Sequence, residues 1–258
     1  MPSRSLVEAL DVPRDARVVA IGGGGKMEVL TVLGTDWAQS GGRPLLAPLA
    51  PIHDHESRGV PGVRTVVLPV ARVGWPPISF LGGEMLVVGR KTERADTVDA
   101  LLPEEIDQLI RDTGADLILL KGDDAQGRSL IEHEPSDPTL PHETALVIAV
   151  VGLDAWGAPL GEDTVHRPEL FGERRAMVPG QRLEDDVFYA ALSDPGGYRS
   201  LLPPGARYAV FLNKVDRPVR TAVAQRLAAG LIERGVNEVL WGDAREHEWT
   251  IVKRGVRT

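Results

Sequence analysis

Four consecutive glycines, Gly22 to Gly25, constrain the fold of this chain more than any other feature of its sequence. They follow an apolar run at residues 17–21, which predicts a short buried strand. After them, residues 26–39 carry apolar side chains at helical spacing. The sequence therefore predicts a strand, a glycine turn and a helix in direct succession, as in α/β proteins.

The rest of the chain repeats this alternation of apolar runs and helical stretches. Continuous apolar runs are typical of strands that are covered on both faces of a parallel sheet. Further strands are predicted at residues 64–70, 84–88, 115–120, 146–151, 208–212 and 238–241. Helices are predicted at residues 103–112 and 218–234. We therefore expect a single α/β domain over residues 1–258, with a mostly parallel sheet and flanking helices.

Residues 152–204 depart from this pattern. They contain many Gly, Pro and charged residues, and only one helix is predicted there, at residues 183–192. We interpret the segment as an irregular accessory region inserted in the α/β domain.

Composition limits the partners that the chain can have. Its formal net charge is -8, from 29 basic and 37 acidic residues, which opposes binding to nucleic acid or an anionic membrane. It contains no Cys, which excludes disulfides, thiolate metal sites and cysteine nucleophiles. No run approaches the roughly 18 apolar residues of a membrane-spanning helix. We therefore expect a cytoplasmic protein without nucleic-acid or membrane partners.

The glycine run is a candidate phosphate site. Successive glycines after a strand allow backbone N–H groups to surround a phosphate, and the following helix adds the positive end of its dipole. The residues expected to contact the phosphates are Gly22, Gly23, Gly24, Gly25 and Lys26. The usual G-x-x-x-x-G-K-[ST] signature is incomplete, because Ala20 and Met27 replace its first glycine and its hydroxyl residue. The alternative is a glycine-rich turn with an exposed lysine.

A second candidate element, Asn213-Lys214-Val215-Asp216, follows the strand predicted at residues 208–212. A carboxylate at Asp216 can accept hydrogen bonds from N1–H and the 2-amino group of guanine. Adenine has an acceptor at N1 and would leave this pairing unsatisfied. The motif, including Asn213 and Lys214, therefore predicts guanine recognition. The alternative is that Asp216 only caps the helix that begins near Pro218.

Acidic residues follow the strand predicted at residues 115–120. In open parallel sheets ligands bind at the carboxyl ends of the strands, so Asp123 or Asp124 is a candidate magnesium ligand or water-orienting group. We name Asp123 as the metal and catalytic candidate, and an ordinary acidic turn is the alternative. His and carboxylate residues at 53–56 and 132–134 are also possible metal ligands, but we interpret both groups as solvated loop residues.

The order of these motifs resembles that of a known family, the selenium-dependent hydroxylase accessory proteins called YqeC. The most family-specific block is GLDAWGAPL at residues 152–160, followed by VHRPE at residues 165–169. The matching segments are residues 18–26, 123–128, 132–135, 151–160, 165–169 and 213–216.

The resemblance implies a P-loop NTPase-like fold and a role in the maturation of selenium-dependent molybdenum hydroxylases. On this basis we expect GTP or ATP as the ligand, and a molybdenum hydroxylase or its cofactor machinery as the partner. The family loop has Thr after the lysine and an acidic strand end, whereas this chain has Met27 and Lys121 there. These positions would bind Mg²⁺ and stabilise the transferring phosphoryl group, so nucleotide binding can persist where hydrolysis does not.

The VHRPE block adds His166 and Arg167, in a segment that we interpret as a loop. Arg167 would clamp a phosphate or a pterin-type anion, and His166 would move a proton near neutral pH. The alternative is that this segment docks the accessory region on the sheet.

Three functions are compatible with these residues. The first is a nucleoside triphosphatase that prefers guanine, with Lys26 and Asp123 as its catalytic candidates. The second is a nucleotide-binding adaptor of the same fold without turnover. The third is a phosphotransferase or nucleotidyltransferase that acts on the molybdenum cofactor, with His166 and Arg167 facing the nucleotide.

Overall fold

The computed structural model describes residues 5–53, 59–69, 77–92, 97–134 and 138–255. The strands are β1 (Ala16–Gly22), β2 (Pro44–Pro48), β3 (Ile52–His53), β4 (Val63–Leu68), β5 (Met85–Lys91), β6 (Thr97–Asp99), β7 (Leu117–Lys121), β8 (Leu130–Ile131), β9 (Thr144–Gly152), β10 (Val165–His166), β11 (Arg207–Asn213), β12 (Glu238–Asp243) and β13 (Glu248–Lys253). The α-helices are α1 (Leu6–Ala9), α2 (Lys26–Gln39), α3 (Pro103–Thr113), α4 (Pro168–Arg175), α5 (Asp185–Ser193) and α6 (Pro218–Glu233). Two short 3₁₀ helices lie at Leu153–Ala155 and Tyr198–Leu201.

A mostly parallel sheet forms the centre of the fold, as predicted. Within the described ranges, eleven strands join in the order β13-β12-β11-β9-β1-β7-β2-β5-β6-β3, and β4 pairs with β5. The pairings of β13 with β12, β6 with β5 and β3 with β6 are antiparallel, and the other pairings are parallel. The strand β1 lies near the middle, between β9 and β7. The glycine turn at its end is therefore central in the molecule.

Helices cover both faces of the sheet, which explains why its strands read as continuous apolar runs. Along β1, Val19 and Ile21 belong to one hydrophobic core, with apolar residues of α3 to α6. Val18 and Ala20 belong to a second core on the opposite face, with residues of α1 and α2. Successive side chains of a strand point to opposite faces, so both faces of β1 must be apolar.

The accessory region is more regular than expected, and the interpretation of VHRPE as a loop is wrong. Val165 and His166 form β10, which pairs in parallel with β8 as a two-stranded sheet. Pro168 then occupies the first turn of α4, where its missing N–H costs nothing. A two-residue strand is too short to produce a periodic signal, which is why the pattern did not show it.

The accessory region packs into the core of the sheet. Leu153, Phe171, Phe188 and Tyr198 are buried in the same hydrophobic core as Val19 of β1. None of the described helices has both the length and the apolar character needed to cross a membrane.

Candidate functional site

The glycine turn is shaped first by packing. Gly22 and Gly24 have positive φ angles of 101° and 65°, which favour glycine. A Cβ atom at Gly22 would overlap the carbonyl of Val150, and one at Gly23 would overlap the backbone of residues 128–130. A Cβ at Gly24 would overlap the backbone of Gly152. Three of the four glycines are therefore required by the close approach of neighbouring backbone, whether or not a ligand binds.

Two of the predicted phosphate-binding amides already have acceptors. The N–H of Gly22 donates to Asp123 Oδ2 at 2.7 Å, and the N–H of Gly24 donates to the carbonyl of Arg128 at 2.9 Å. The helix α2 begins after Gly25, which provides no capping side chain. The first N–H groups of any α-helix lack acceptors within the helix. Gly22 and Gly24 therefore do not offer free amides to a phosphate, and the first turn of α2, from Lys26 onward, supplies further N–H donors.

Lys26 turns back under the glycine turn instead of pointing away from it. Its Nζ lies 2.7 Å from Asp123 Oδ1 and also donates to the carbonyl of Gly22. Both side chains are almost fully buried, with 5% of Lys26 and 1% of Asp123 exposed. His133 Nε2 lies 2.7 Å from Asp123 Oδ2. The result is a buried ionic cluster of Lys26, Asp123 and His133 that holds the turn at Gly22.

The pKa of Asp123 reflects this cluster. Burial alone raises the pKa of a carboxyl group, because it disfavours the charged form. Here the positive charge of Lys26 and the hydrogen bond to His133 outweigh burial and lower the pKa of Asp123 to about 2. Asp123 is therefore ionised throughout the neutral range.

The residues present do not fit a magnesium site at Asp123. One carboxylate oxygen pairs with Lys26, and the other accepts from Gly22 and contacts His133. Met27 supplies no oxygen in the position where the usual signature has a hydroxyl. In the part of the chain that the structure describes, no three His, Cys, Asp or Glu residues are grouped as metal ligands.

The interpretation of residues 132–134 as solvated is wrong for its first two members. Glu132 and His133 are 2% and 4% exposed. Glu132 accepts from Arg174 at 2.6 Å and also pairs with Arg175. The ring of His133 packs edge-on against Tyr198, with centroids 5.0 Å apart. These contacts tie β8 to α4 and to the second 3₁₀ helix. Of the other possible metal ligands, at residues 53–56, residues 54–56 lie outside the described part of the chain.

Asn213 connects the two predicted ligand motifs. Its Nδ2 donates to the carbonyl of Gly24 at 2.8 Å, and its Oδ1 accepts from the N–H of Ala244 at 2.9 Å. The side chain is 2% exposed. The glycine turn, the end of β11 and the turn after β12 are therefore held together by one amide.

Lys214 and Asp216 lie beside this connection. Lys214 Nζ donates to Asp154 at 2.8 Å and to the hydroxyl of Ser129 at 2.9 Å. Burial raises the pKa of Asp154, but hydrogen bonds from Lys214 and Ser129 outweigh it and lower that pKa. Asp216 pairs with Arg220 at 2.5 Å, and its side chain is 46% exposed. The carboxylate of Asp216 is thus accessible to a ligand.

Two adjoining cavities border these residues. The larger, of about 550 Å³, is lined by residues of the glycine turn from Gly23 onward and by the first turn of α2. The smaller, of about 320 Å³, is lined by Asn213, Lys214 and Asp216. Glu28, Lys214 and Arg245 line both cavities. The larger cavity falls within the ordinary size range of small-molecule sites, about 300–1,000 Å³.

His166 and Arg167 are not among the residues that line either cavity. Arg167 has a left-handed φ of 62° and donates to the carbonyl of Glu132 at 3.2 Å. Burial and the nearby charge of Arg167 lower the pKa of His166, which favours its neutral imidazole. Both residues lie at the junction of β10 and α4.

Sequence reasoning missed Glu28 and Arg245 as residues of the site. Glu28 reads as an ordinary acidic residue in a first helical turn. Arg245 follows Glu28 by 217 positions in the sequence. It lies in the turn between β12 and β13, and no sequence motif marks it. Only the pairing of these strands brings it over α2.

Comparisons with known proteins agree with the resemblance of the motifs. Residues 18–169 match the family model described as YqeC protein. The chain is also 28% identical over 150 residues to the uncharacterized protein YqeC of Escherichia coli (strain K12). That alignment covers 58% of this chain and 59% of the relative, so the chain spans less than two thirds of the length of the relative that it matches. No solved structure matches the chain.

The matched range includes the glycine turn, Asp123 and the VHRPE block, and it ends before Asn213. Since the family model covers more than half of the chain, this protein belongs to the YqeC family.

Proposed function

We propose that this protein binds a nucleoside triphosphate, GTP or ATP, across the two adjoining cavities. The observation that carries the proposal is the position of Asn213. Its side chain hydrogen-bonds the glycine turn, while the residues that follow it line the smaller cavity. A ligand that spans both cavities would place phosphates near α2 and a base near Asp216.

The charge of the larger cavity supports a phosphate ligand. Its lining includes five cationic side chains, namely Lys26, Lys121, Arg128, Lys214 and Arg245. The opposing negative charges are the carboxylates of Glu28 and Asp124 in the lining, that of Asp123 behind Lys26 and that of Asp154 beside Lys214. The first turn of α2 adds N–H donors and the positive end of the helix dipole. A polyanion at this position therefore meets more positive than negative charge.

The smaller cavity supports a base that donates two hydrogen bonds. Asp216 is accessible, and guanine presents N1–H and a 2-amino group to a carboxylate. Adenine would leave this carboxylate facing the acceptor at N1, which costs affinity. We therefore propose that GTP binds more tightly than ATP.

The buried cluster favours binding without efficient turnover. Asp123 is committed to Lys26, Gly22 and His133, and Met27 offers no oxygen to a metal. In phosphoryl transfer most of the rate enhancement comes from metal ions and charged groups at the transferring phosphate. We therefore favour a nucleotide-binding adaptor over a triphosphatase.

The family assignment gives this binding a biological setting. We propose that the protein acts as an accessory factor in the maturation of a selenium-dependent molybdenum hydroxylase, as the resemblance of its motifs implies. Because these 258 residues contain no Cys, the chain would recruit or gate the process and not carry selenium or sulfur on a thiol of its own.

Calorimetric titration tests the proposal. The purified protein is titrated with GTP and with ATP, each with Mg²⁺ and with EDTA, and phosphate release is then measured. We expect GTP to bind with similar affinity in both conditions and to be released unhydrolysed. Asp216→Asn should remove the preference for GTP, and Asp107→Asn, the same change at an acidic residue outside the lining of both cavities, is the matched control. Absence of binding to either nucleotide would refute the proposal, and rapid Mg²⁺-dependent turnover would refute the adaptor.

A further inference from the structure

An ion pair between Glu28 and Arg245 lies where the two cavities adjoin. Arg245 Nη2 and Nε lie 2.6 Å and 3.0 Å from Glu28 Oε1. Both side chains line both cavities. They come from α2 and from the turn between β12 and β13. The pair therefore forms part of the wall between the proposed phosphate and base subsites.

Glu28 occupies the position that a phosphate would approach. Its carboxylate lies so close to Gly25 that a Cβ atom there would overlap Oε2. An acidic residue in a first helical turn is stabilised by the helix dipole, and this alone would be an ordinary feature. What distinguishes Glu28 is its partner, an arginine held over it by a different part of the sheet. A phosphate at the same helix end would be repelled by Glu28 and attracted by Arg245.

The turn that carries Arg245 is linked to the glycine turn. The N–H of Ala244, its neighbour, donates to Asn213, which in turn donates to Gly24. Arg245 is thus anchored at its backbone while its side chain is 72% exposed and Glu28 is 27% exposed. Exposed ion pairs are weak, so exchanging one anionic partner for another costs little.

We propose that the Glu28–Arg245 pair is a latch on the nucleotide cleft, and that Arg245 transfers from Glu28 to a phosphate of the ligand when the ligand binds. This inference rests on the proposed nucleotide binding and adds a residue to it. Guanidinium groups bind phosphate oxygens through two parallel hydrogen bonds, which a single carboxylate oxygen does not match. Glu28 therefore acts as an internal competitor that holds Arg245 until a phosphate displaces it.

The latch predicts opposite effects for its two members. Glu28→Gln removes the competitor and should tighten binding by about 3- to 10-fold, the range expected for a weak pair and a repulsive charge. Arg245→Gln removes the phosphate contact and should weaken binding by about ten-fold. In the double variant, the gain from Glu28→Gln should shrink to the part that comes from removing the repulsive charge, because no arginine is left to release.

The experiment uses calorimetric titration of the full chain with inorganic pyrophosphate and with GTP. Glu248→Gln, in β13, and Arg254→Gln, in the turn after it, make the same charge changes outside the lining of both cavities and should leave affinity unchanged. Circular dichroism melts confirm that each variant is folded. If Glu28→Gln tightens binding equally with and without Arg245, or if neither change alters affinity, the latch is refuted although nucleotide binding stands. If neither wild-type protein nor Glu28→Gln binds either ligand, the proposed function itself fails.

Discussion

Replacing Asp123 with Asn should destabilise the protein strongly, since it leaves the buried ammonium of Lys26 without a counter-charge. Lys26 is 5% exposed and its ion-pair partner is Asp123. Removing one member of a buried pair typically costs about 3–5 kcal/mol. For a chain of this size we expect the melting temperature to fall by roughly 6–20 °C, from about 2–4 °C per kcal/mol.

The same substitution should change the pH dependence of stability. The pKa of Asp123 is lowered from 3.8 to about 2 in the folded protein. A lowered pKa contributes stability that is present above the unfolded value of 3.8 and is lost as the pH falls toward the folded value. The contribution is roughly 2 kcal/mol at pH 7, and about 1 kcal/mol of it is lost by pH 3. The difference in the free energy of unfolding between wild-type protein and Asp123→Asn should therefore be about 1 kcal/mol smaller at pH 3 than at pH 7.

Urea unfolding followed by circular dichroism at pH 7 and pH 3 measures both quantities. The matched control is Asp107→Asn, which removes a carboxylate from a partly exposed ion pair with Arg17. Such exposed pairs contribute about 0–1 kcal/mol, so this control should behave nearly as wild type. The buried ionic cluster does not hold the glycine turn if Asp123→Asn lowers the free energy of unfolding no more than the control does. The same conclusion follows if the difference in that free energy between the variant and wild type stays constant with pH.

Three further changes test the surroundings of the turn. Asn213→Ala leaves the Gly24 carbonyl and another buried backbone group without partners, so we expect a loss of about 1–3 kcal/mol in urea unfolding and weaker GTP binding by calorimetry. Gly23→Ala forces a Cβ into the backbone of residues 128–130, and its melting temperature should fall well below that of Gly196→Ala, where the added Cβ meets no atom and φ lies outside the left-handed region. Tyr198→Phe removes hydrogen bonds of 2.9 Å and 3.1 Å to the backbone of Ile131, and should cost about 1–3 kcal/mol in the same unfolding assay without changing GTP affinity.

The central sheet could be predicted from the sequence because its strands are covered on both faces. The predicted strands at 146–151 and 208–212 correspond to β9 (Thr144–Gly152) and β11 (Arg207–Asn213), and α2 has the predicted bounds. Each is a continuous apolar run or carries apolar residues at helical spacing, which local periodicity detects. In contrast, β2 (Pro44–Pro48) was not predicted, since a five-residue run that begins and ends with Pro looks like a loop.

Only some residues of the candidate site were named from the sequence, and their contacts with one another were not. The sequence placed Lys26 and Asp123 just after the carboxyl ends of two strands, and the structure shows that these strands, β1 and β7, are neighbours. Sequence alone could not indicate that Lys26 and Asp123 pair with each other, because that depends on burial. The role of His133 was likewise hidden, since its position beside Asp123 follows from the course of residues 124–132 across the turn. Local patterns identify which residues reach a sheet edge, and tertiary packing decides which of them face a ligand.

The overlap between folding and proposed binding decides which variants are informative. Gly22, Gly23 and Gly24 each lie against backbone atoms, and Lys26 neutralises a buried carboxylate. Substituting these residues would reduce nucleotide binding by unfolding the turn, even if no nucleotide ever contacts them. Glu28, Arg245 and Asp216 have partly exposed side chains and make ion pairs that are weak contributors to stability. A change in affinity at these three positions, with an unchanged melting temperature, therefore discriminates between a glycine turn that binds phosphate and one that only joins β1 to α2.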